Sequence, residues 1–234
     1  MENMPQHIAI ILDGNRRWAK AKGMPGTYGH KVGAKNLIKI ADYANQIGLK
    51  HMTVFAFSTE NWKRAEDEVN MLMKLFEDYL KMYSKKALES NIRVKVVGTR
   101  KGLNDKLIKN IELCEEMTKD CTGLTVNVAM NYGSREEITN ATKKIAAMVK
   151  EGKMNVEDIT EDSISENIYT AHSPAPDLLI RTSNEIRLSN FLLWQLAYAE
   201  FLFLDKNWPE FSKEDLDAAI ETFAKRNRRF GGKW

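Results

Sequence analysis

The chain has 234 residues, which is enough for one large domain with a core of its own. With 43% hydrophobic and 29% charged residues, and only 5 Pro and 13 Gly in no linker-like run, it excludes disordered, collagenous and coiled-coil classes. Its net charge of +3 is concentrated in the last thirteen residues, TFAKRNRRFGGKW, which carry five cations and no acid, so that residues 1–221 stand at −2 and no nucleic-acid-binding surface is expected.

The chain opens with an apolar run, His7–Leu12, which reads as a buried strand and is too short, and too poor in preceding basic residues, for a signal peptide. Residues 14–41 then hold Arg16, Arg17, Lys20, Lys22, Lys31, Lys35 and Lys39 with no acid among them, a local excess that suits an anionic ligand. A helical pattern covers Lys31–Ile47, followed by a strand at Met52–Phe57 and a long amphipathic helix at Glu66–Glu89, with Val69, Leu72, Phe76, Leu80, Tyr83 and Ala87 on one stripe. Further strands are expected at Ile92–Val97, Leu124–Met130, Leu178–Ile180 and Phe201–Leu204, and further helices at Asp105–Lys119, Ser134–Lys150 and Lys213–Arg228. Continuous apolar strands separated by helices predict one α/β domain over residues 1–234, with a central, mostly parallel six-stranded sheet flanked by helices. The two cysteines, Cys114 and Cys121, have neither a disulfide framework nor CxxC spacing, so a reducing compartment is expected. The longest apolar stretch, Phe191–Leu204, is interrupted by Gln195 and Glu200 and cannot cross a membrane; the expected location is cytoplasmic, at most peripheral on the inner face of the membrane.

In open parallel sheets, ligands bind beyond the carboxyl ends of the strands. There the sequence places Asp13-Gly14-Asn15-Arg16-Arg17-Trp18, then Ser58-Thr59-Glu60-Asn61-Trp62-Lys63-Arg64, then Asn131-Tyr132-Gly133, then Arg181-Thr182-Ser183-Asn184-Glu185-Ile186-Arg187-Leu188-Ser189. Guanidinium groups match phosphate oxygens bidentately, and Arg16, Arg17, Arg64, Arg181 and Arg187 are enough for more than one diphosphate. Gly14-Asn15 opens an expected helix, whose free N–H groups suit phosphate, and Asp13 is placed to share a Mg²⁺ ion with it. Alone, Asp13-Gly14-Asn15 would read as a turn. Competing motifs are absent: there is no GxxxxGK[ST], Gly23, Gly26 and Gly29 do not make GxGxxG, no GxSxG occurs, and His7, His30, His51 and His172 lack metal-ligand spacing.

His7 to Ala19 strongly resembles the first signature of the cis-prenyltransferases, the undecaprenyl diphosphate synthase family. So do Gly29-His30, Phe57 to Trp62, Asn131-Tyr132-Gly133, Leu179 to Ser183, Arg187 to Gln195, Tyr198-Ala199-Glu200, Trp208-Pro209 and Arg228 to Gly232, motifs spread over nearly the whole chain. The resemblance implies a homodimeric, Mg²⁺-dependent transferase that condenses isopentenyl diphosphate with an allylic diphosphate, usually farnesyl diphosphate. The product would be a Z-polyprenyl diphosphate, here undecaprenyl diphosphate, a lipid delivered to the membrane for cell-wall synthesis. Asp13 would be the essential acid and, with Glu200, a metal ligand; Gly14, Asn15, Arg16 and Arg17 would cradle the allylic diphosphate. Trp18, His30, Ser58, Thr59, Glu60, Trp62, Arg64 and Leu188 match substrate-contact positions, Asn61 the proton acceptor, and Arg181, Arg187 and Ser189 the homoallylic diphosphate site. Arg229-Phe230-Gly231 matches a motif that reaches across a dimer. The absence of DDxxD agrees with the cis rather than the trans enzymes.

Three departures bear on substrate choice: Gly26 where many members have arginine, Asn184 for a common glycine, and Ile186 for a polar residue. They keep a short-chain or unusual prenyl-coupling member open as an alternative. A non-catalytic partner subunit is the other alternative, against which Asp13 and Asn61 are retained. Leu72, Leu75, Phe76, Leu80 and Tyr83 are expected either to line a hydrocarbon cavity or to belong to the core, and Ser58–Asp67 is expected to act as a lid.

Overall fold

The computed structural model describes residues 4–226. Its centre is a six-stranded sheet made of β1 (His7–Ile11), β2 (His51–Ser58), β3 (Arg93–Val97), β4 (Thr125–Tyr132), β5 (Leu178–Arg181) and β6 (Glu200–Phe203), in the order β3-β4-β2-β1-β5-β6. Every neighbouring pair is parallel, with Ile8 level with Met52 on one side and Leu178 on the other. The apolar continuity of β1 follows from burial on both faces: all five of its residues are buried.

Alternate side chains divide the interior in two. Ile8, Ile10 and Ile180 enter the larger core, under α2 (Gly26–Gln46), α3 (Glu66–Glu89), α4 (Asp105–Met117) and the C-terminal helix Lys213–Ala224. Ala9, Ile11 and Leu179 enter a smaller one, closed by Phe191, Leu192 and Leu196. The fold is the expected one, and the strands fall within two residues of their expected bounds. Among the described residues, no helix is long and apolar enough to cross a membrane.

Two helical boundaries differ from the sequence pattern by more than two residues. A short helix, α1 (Asn15–Ala21), follows Gly14 as its N-cap, as expected, but α2 begins at Gly26 rather than at Lys31. Its early glycines weaken the helical signal because they serve contact between helices. A Cβ on Gly29 would stand 2.0 Å from the Asn15 carbonyl oxygen, and one on Gly33 would stand 2.1 Å from Asn15 Oδ1. The last helix ends at Ala224, before the expected Arg228.

The chain passes from β1 through β2 to one side of the sheet and later returns to β5 on the other. The resulting crevice lies at the carboxyl ends of β1 and β5, where such sheets take their ligands.

Candidate active site

Asp13 stands two residues beyond β1 and is fixed through its backbone. Its N–H donates to Thr182 Oγ1 at 2.9 Å, and its carbonyl accepts from that hydroxyl at 2.7 Å and from the Trp208 N–H at 2.9 Å. Its carboxylate faces the crevice, with Oδ1 accepting from Gly14 N at 2.7 Å and Oδ2 from Arg181 Nη2 at 2.9 Å. Gly14 holds φ 95°, and a Cβ there would stand 2.2 Å from Asn207 Oδ1, so both conformation and space require glycine. Arg181, at the end of β5, is buried, a costly position for a guanidinium unless it is paired. It donates to Asp13, to Ser189 Oγ at 2.9 Å and to the Arg187 carbonyl, and its Nε has no hydrogen-bond partner among the described residues.

The other arginines also meet carboxylates of the chain. Arg17 lies 2.9 Å from Glu185 and 3.6 Å from Asp13, and Arg187 also pairs with Glu185, whose carboxyl it holds below the usual range by hydrogen bonding. Arg16 and Arg64 each lie 2.9 Å from Glu68 in the first turn of α3. His30 Nε2 is 3.9 Å from the same carboxylate and has no hydrogen-bond partner among the described residues. Burial, aided by the Arg64 charge, lowers the His30 pKa to about 4, so its imidazole is neutral near pH 7.

The segment after β2 folds as a 3-10 helix, Thr59–Lys63, in which Asn61 Oδ1 caps the Ser58 N–H at 3.0 Å. That leaves the Asn61 oxygen one further lone pair. The segment is tied at two points: Trp62 Nε1 donates to Asn131 Oδ1 at 2.7 Å, and Glu60 accepts from Asn190 Nδ2 at 2.8 Å. Asn131, at φ 50°, is itself fixed by 2.9 Å bonds to the Thr99 and Lys101 carbonyls.

These groups surround a cavity of ≈ 470 Å³. Asp13, Arg16, Arg17, His30, Asn61, Arg64, Arg181, Arg187 and Ser189 supply its polar part, together with Gly14, Asn15 and Ser58. Leu37, Phe57, Leu72, Leu75 and Phe76 supply an apolar wall. Of the α3 stripe, Leu80 and Tyr83 pack into the larger core instead.

Trp18, Thr59, Glu60, Trp62 and Leu188 stand outside the wall; Trp18 stacks on Tyr28 at 6.1 Å, and Leu188 packs against the smaller core. Glu200 is not brought to Asp13. It begins β6, level with Leu178, near the other end of the sheet, and lies 2.7 Å from Arg226. Arg228 to Gly232 lie outside the described residues.

Two residues not anticipated are Thr182, which holds the Asp13 backbone, and Glu68. The signal for Glu68 was its place four residues after Arg64, a spacing that suits an ion pair. Of the departures, Gly26 opens α2 beside Arg16, whose Cγ would lie 3.3 Å from a Cβ at that position. Asn184, at φ 55°, takes a left-handed conformation that glycine or asparagine adopts readily, and Ile186 is 73% exposed.

A Mg²⁺ ion fits this donor set. Asp13 offers a carboxylate that is 30% exposed at the cavity, and no group of three acidic, histidine or cysteine side chains among the described residues forms a closed metal cage. One carboxylate plus substrate phosphates and waters is a usual environment for this ion.

A family model described as "Putative undecaprenyl diphosphate synthase" matches residues 11–231. An isoprenyl transferase of Fusobacterium nucleatum is 50% identical over 231 residues, covering 99% of this chain and 97% of that protein. A Micrococcus luteus protein named ditrans,polycis-undecaprenyl-diphosphate synthase ((2E,6E)-farnesyl-diphosphate specific) is 48% identical, covering 98% and 92%. Among solved structures, lavandulyl diphosphate synthase from Lavandula x intermedia, in complex with dimethylallyl diphosphate, superposes with a TM-score of 0.96 at 38% identity, over 99% of this chain and 100% of that one. A probable undecaprenyl diphosphate synthase from Campylobacter jejuni gives 0.82 at 34% identity, over the same shares.

Proposed function

Because the chain belongs to the undecaprenyl diphosphate synthase family of prenyltransferases, we propose that it condenses isopentenyl diphosphate with an allylic diphosphate, farnesyl diphosphate, in a Mg²⁺-dependent reaction. The product is a Z-polyprenyl diphosphate, undecaprenyl diphosphate, which serves as lipid carrier for the cell wall. One observation carries this reading: two sets of cationic side chains, of the kind that suits phosphate, flank Asp13 at a single sheet edge, and the cavity they share continues into an apolar wall.

In this reading Arg16, Arg17, Arg64 and His30, with the Gly14-Asn15 backbone, bind the allylic diphosphate, and its hydrocarbon lies along Leu72, Leu75 and Phe76. Arg181, Arg187 and Ser189 bind the diphosphate of isopentenyl diphosphate. The allylic carbon–oxygen bond breaks and its electron pair leaves with inorganic pyrophosphate. The allylic carbon bonds to the terminal alkene carbon of isopentenyl diphosphate, which then loses a proton toward Asn61. Charge grows on the leaving diphosphate, so fixed guanidinium groups stabilise the transition state more than the bound substrate. Bound beside Asp13, Mg²⁺ would supply further neutralisation of that charge. Asp13 orients the site through Arg181.

A homodimer fits β6, an edge strand among the described residues, and the exposed apolar side chains Ile186 (73%) and Leu193 (37%). A cytoplasmic enzyme, peripheral at the membrane where its product is delivered, completes the proposal. The short-chain reading has one observation in its favour, the closer superposition on the lavandulyl diphosphate synthase.

Labelled isopentenyl diphosphate offered with dimethylallyl, geranyl and farnesyl diphosphates tests both. Chromatography should show a butanol-extractable polyprenyl product, best primed by farnesyl diphosphate and lost in excess chelator. A single condensation product from dimethylallyl diphosphate would support the short-chain reading. Full activity in chelator would remove the metal.

A further inference from the structure

Glu68 is the acidic side chain around which the allylic half of the cavity is gathered. It comes from α3, yet it reaches Arg16 of α1 at 2.9 Å and Arg64 of the preceding loop at 2.9 Å, with His30 of α2 at 3.9 Å. Its own side chain is 15% exposed, whereas those of Arg16 and Arg64 are 62% and 34% exposed and therefore able to swing. A diphosphate taken up by the same two guanidiniums must meet this carboxylate. Two anions on one pair of arginines repel, and in a partly dehydrated cavity that repulsion is poorly screened.

The geometry points to Glu68 as an internal occupant of the allylic diphosphate site, an anion of the chain that bound diphosphate displaces and that returns when pyrophosphate leaves. The inference rests on the assignment of Arg16 and Arg64 to the allylic diphosphate. It makes Glu68 a residue that sets affinity at this subsite: it weakens every diphosphate there and so keeps the leaving pyrophosphate from lingering. It also couples the two halves of the substrate. Leu72, Leu75 and Phe76 of the apolar wall lie one to two turns further along the same helix, so release of Glu68 from Arg16 and Arg64 frees the head of α3 where the hydrocarbon must enter. Glu185 pairs similarly with Arg17 and Arg187, but it lies in a loop between β5 and β6 rather than on the helix that carries the apolar wall.

The test is titration of inorganic pyrophosphate, with Mg²⁺, into the unmodified enzyme, Glu68→Gln and Glu68→Asp. Glu68→Gln keeps the shape and removes the charge; Glu68→Asp keeps the charge but shortens its reach to both arginines. Glu68→Gln should bind pyrophosphate roughly three- to thirtyfold more tightly, the change expected when one or two partly exposed ion pairs no longer have to break. Glu68→Asp should fall between it and the unmodified enzyme. The KM for the allylic primer and the inhibition constant of pyrophosphate should fall together in Glu68→Gln, while the KM for isopentenyl diphosphate stays within about twofold, a split that a merely structural role would not produce. Pyrophosphate binding that is unchanged or weaker in folded Glu68→Gln overturns the inference and leaves the function reading intact. If Glu68→Gln fails to fold, Glu68→Asp takes its place, and binding no tighter than that of the unmodified enzyme overturns the inference in the same way. No binding of pyrophosphate to the unmodified enzyme would overturn both.

Discussion

The two ends of the sheet satisfy their polar groups in opposite ways. At the amino end, His7 is buried between the Pro174 carbonyl at 2.6 Å and Thr53 Oγ1 at 2.7 Å. Buried Asn127 extends the network, donating to Thr53 at 3.0 Å and to Ser173 at 3.1 Å and accepting from His172 at 2.8 Å. These partners are neutral, close and mutual, and they tie the segment before β5 to β1, β2 and β4. At the carboxyl end the groups are charged, from buried Arg181 to exposed Arg16, and paired with counter-ions that a phosphate can replace, while His30 Nε2 and Arg181 Nε lack a hydrogen-bond partner among the described residues. The His7–Asn127 cluster is finished by folding, and the carboxyl edge is left to be finished by a ligand. Buried polar groups stabilise only when satisfied, so the incompleteness at the carboxyl edge has a cost in stability that binding can recover.

Substitutions at the two ends should therefore separate activity from stability. Asp13→Asn keeps the size of the side chain and removes the charge beside the leaving group. Turnover should fall roughly a hundredfold or more, as when a transition-state electrostatic group is lost, in a variant that still folds but melts lower because buried Arg181 loses its counter-ion. A near-normal rate would exclude Asp13 from the proposed chemistry.

His7 should show the reverse. Burial lowers its pKa from 6.5 to about 4, so between those values the unfolded chain binds the proton and the folded protein does not. Its contribution is fully present above pH 6.5 and is lost as the pH falls toward 4, by about 3 kcal/mol in all. Urea unfolding across that range should show this slope added to those of His30 and His172, whose burial also lowers their pKa to about 4, and His7→Gln should be less steep while keeping its kinetic constants at pH 7. An unaltered slope in His7→Gln would place the acid sensitivity elsewhere.

Gly26→Arg should strengthen the carboxyl end. Its backbone is not left-handed, and only the flexible Arg16 side chain stands near a new Cβ. An added charge-assisted hydrogen bond of about 1.5 kcal/mol or more would lower the allylic primer KM roughly tenfold, with that for isopentenyl diphosphate unchanged. An unchanged primer KM in a stably folded variant would mean that position 26 does not face the diphosphate.

The same contrast explains what the sequence makes legible. Continuous apolar strands and stripe-bearing helices announce the parallel sheet, and Asp13 and the arginines stand out because strand ends rarely carry such groups without reason. Glu68 does not stand out, because its meaning arises only when α3 folds over α1 and brings residue 68 to residue 16. The start of α2 is hidden for a similar reason: Gly29 and Gly33 read as helix breakers until α1 is seen to lie against them. Glu200 shows the converse, since a motif position suggests a metal ligand but the strand register sets it away from Asp13 within the chain. Leu80 and Tyr83 share a helical stripe with Leu72 and Phe76, and periodicity alone does not say where along it a cavity ends.

Histidine NMR during a titration with Mg²⁺ and inorganic pyrophosphate tests the contrast between the two ends most directly. His30 starts with its pKa near 4 and an open Nε2, so an arriving anion should raise that pKa and move its ring resonances. His7, enclosed at the other end of the sheet, should keep both its pKa and its resonances. Movement of His7 with a silent His30 would contradict this division of the molecule, because it would put the diphosphate at the end that folding has already closed.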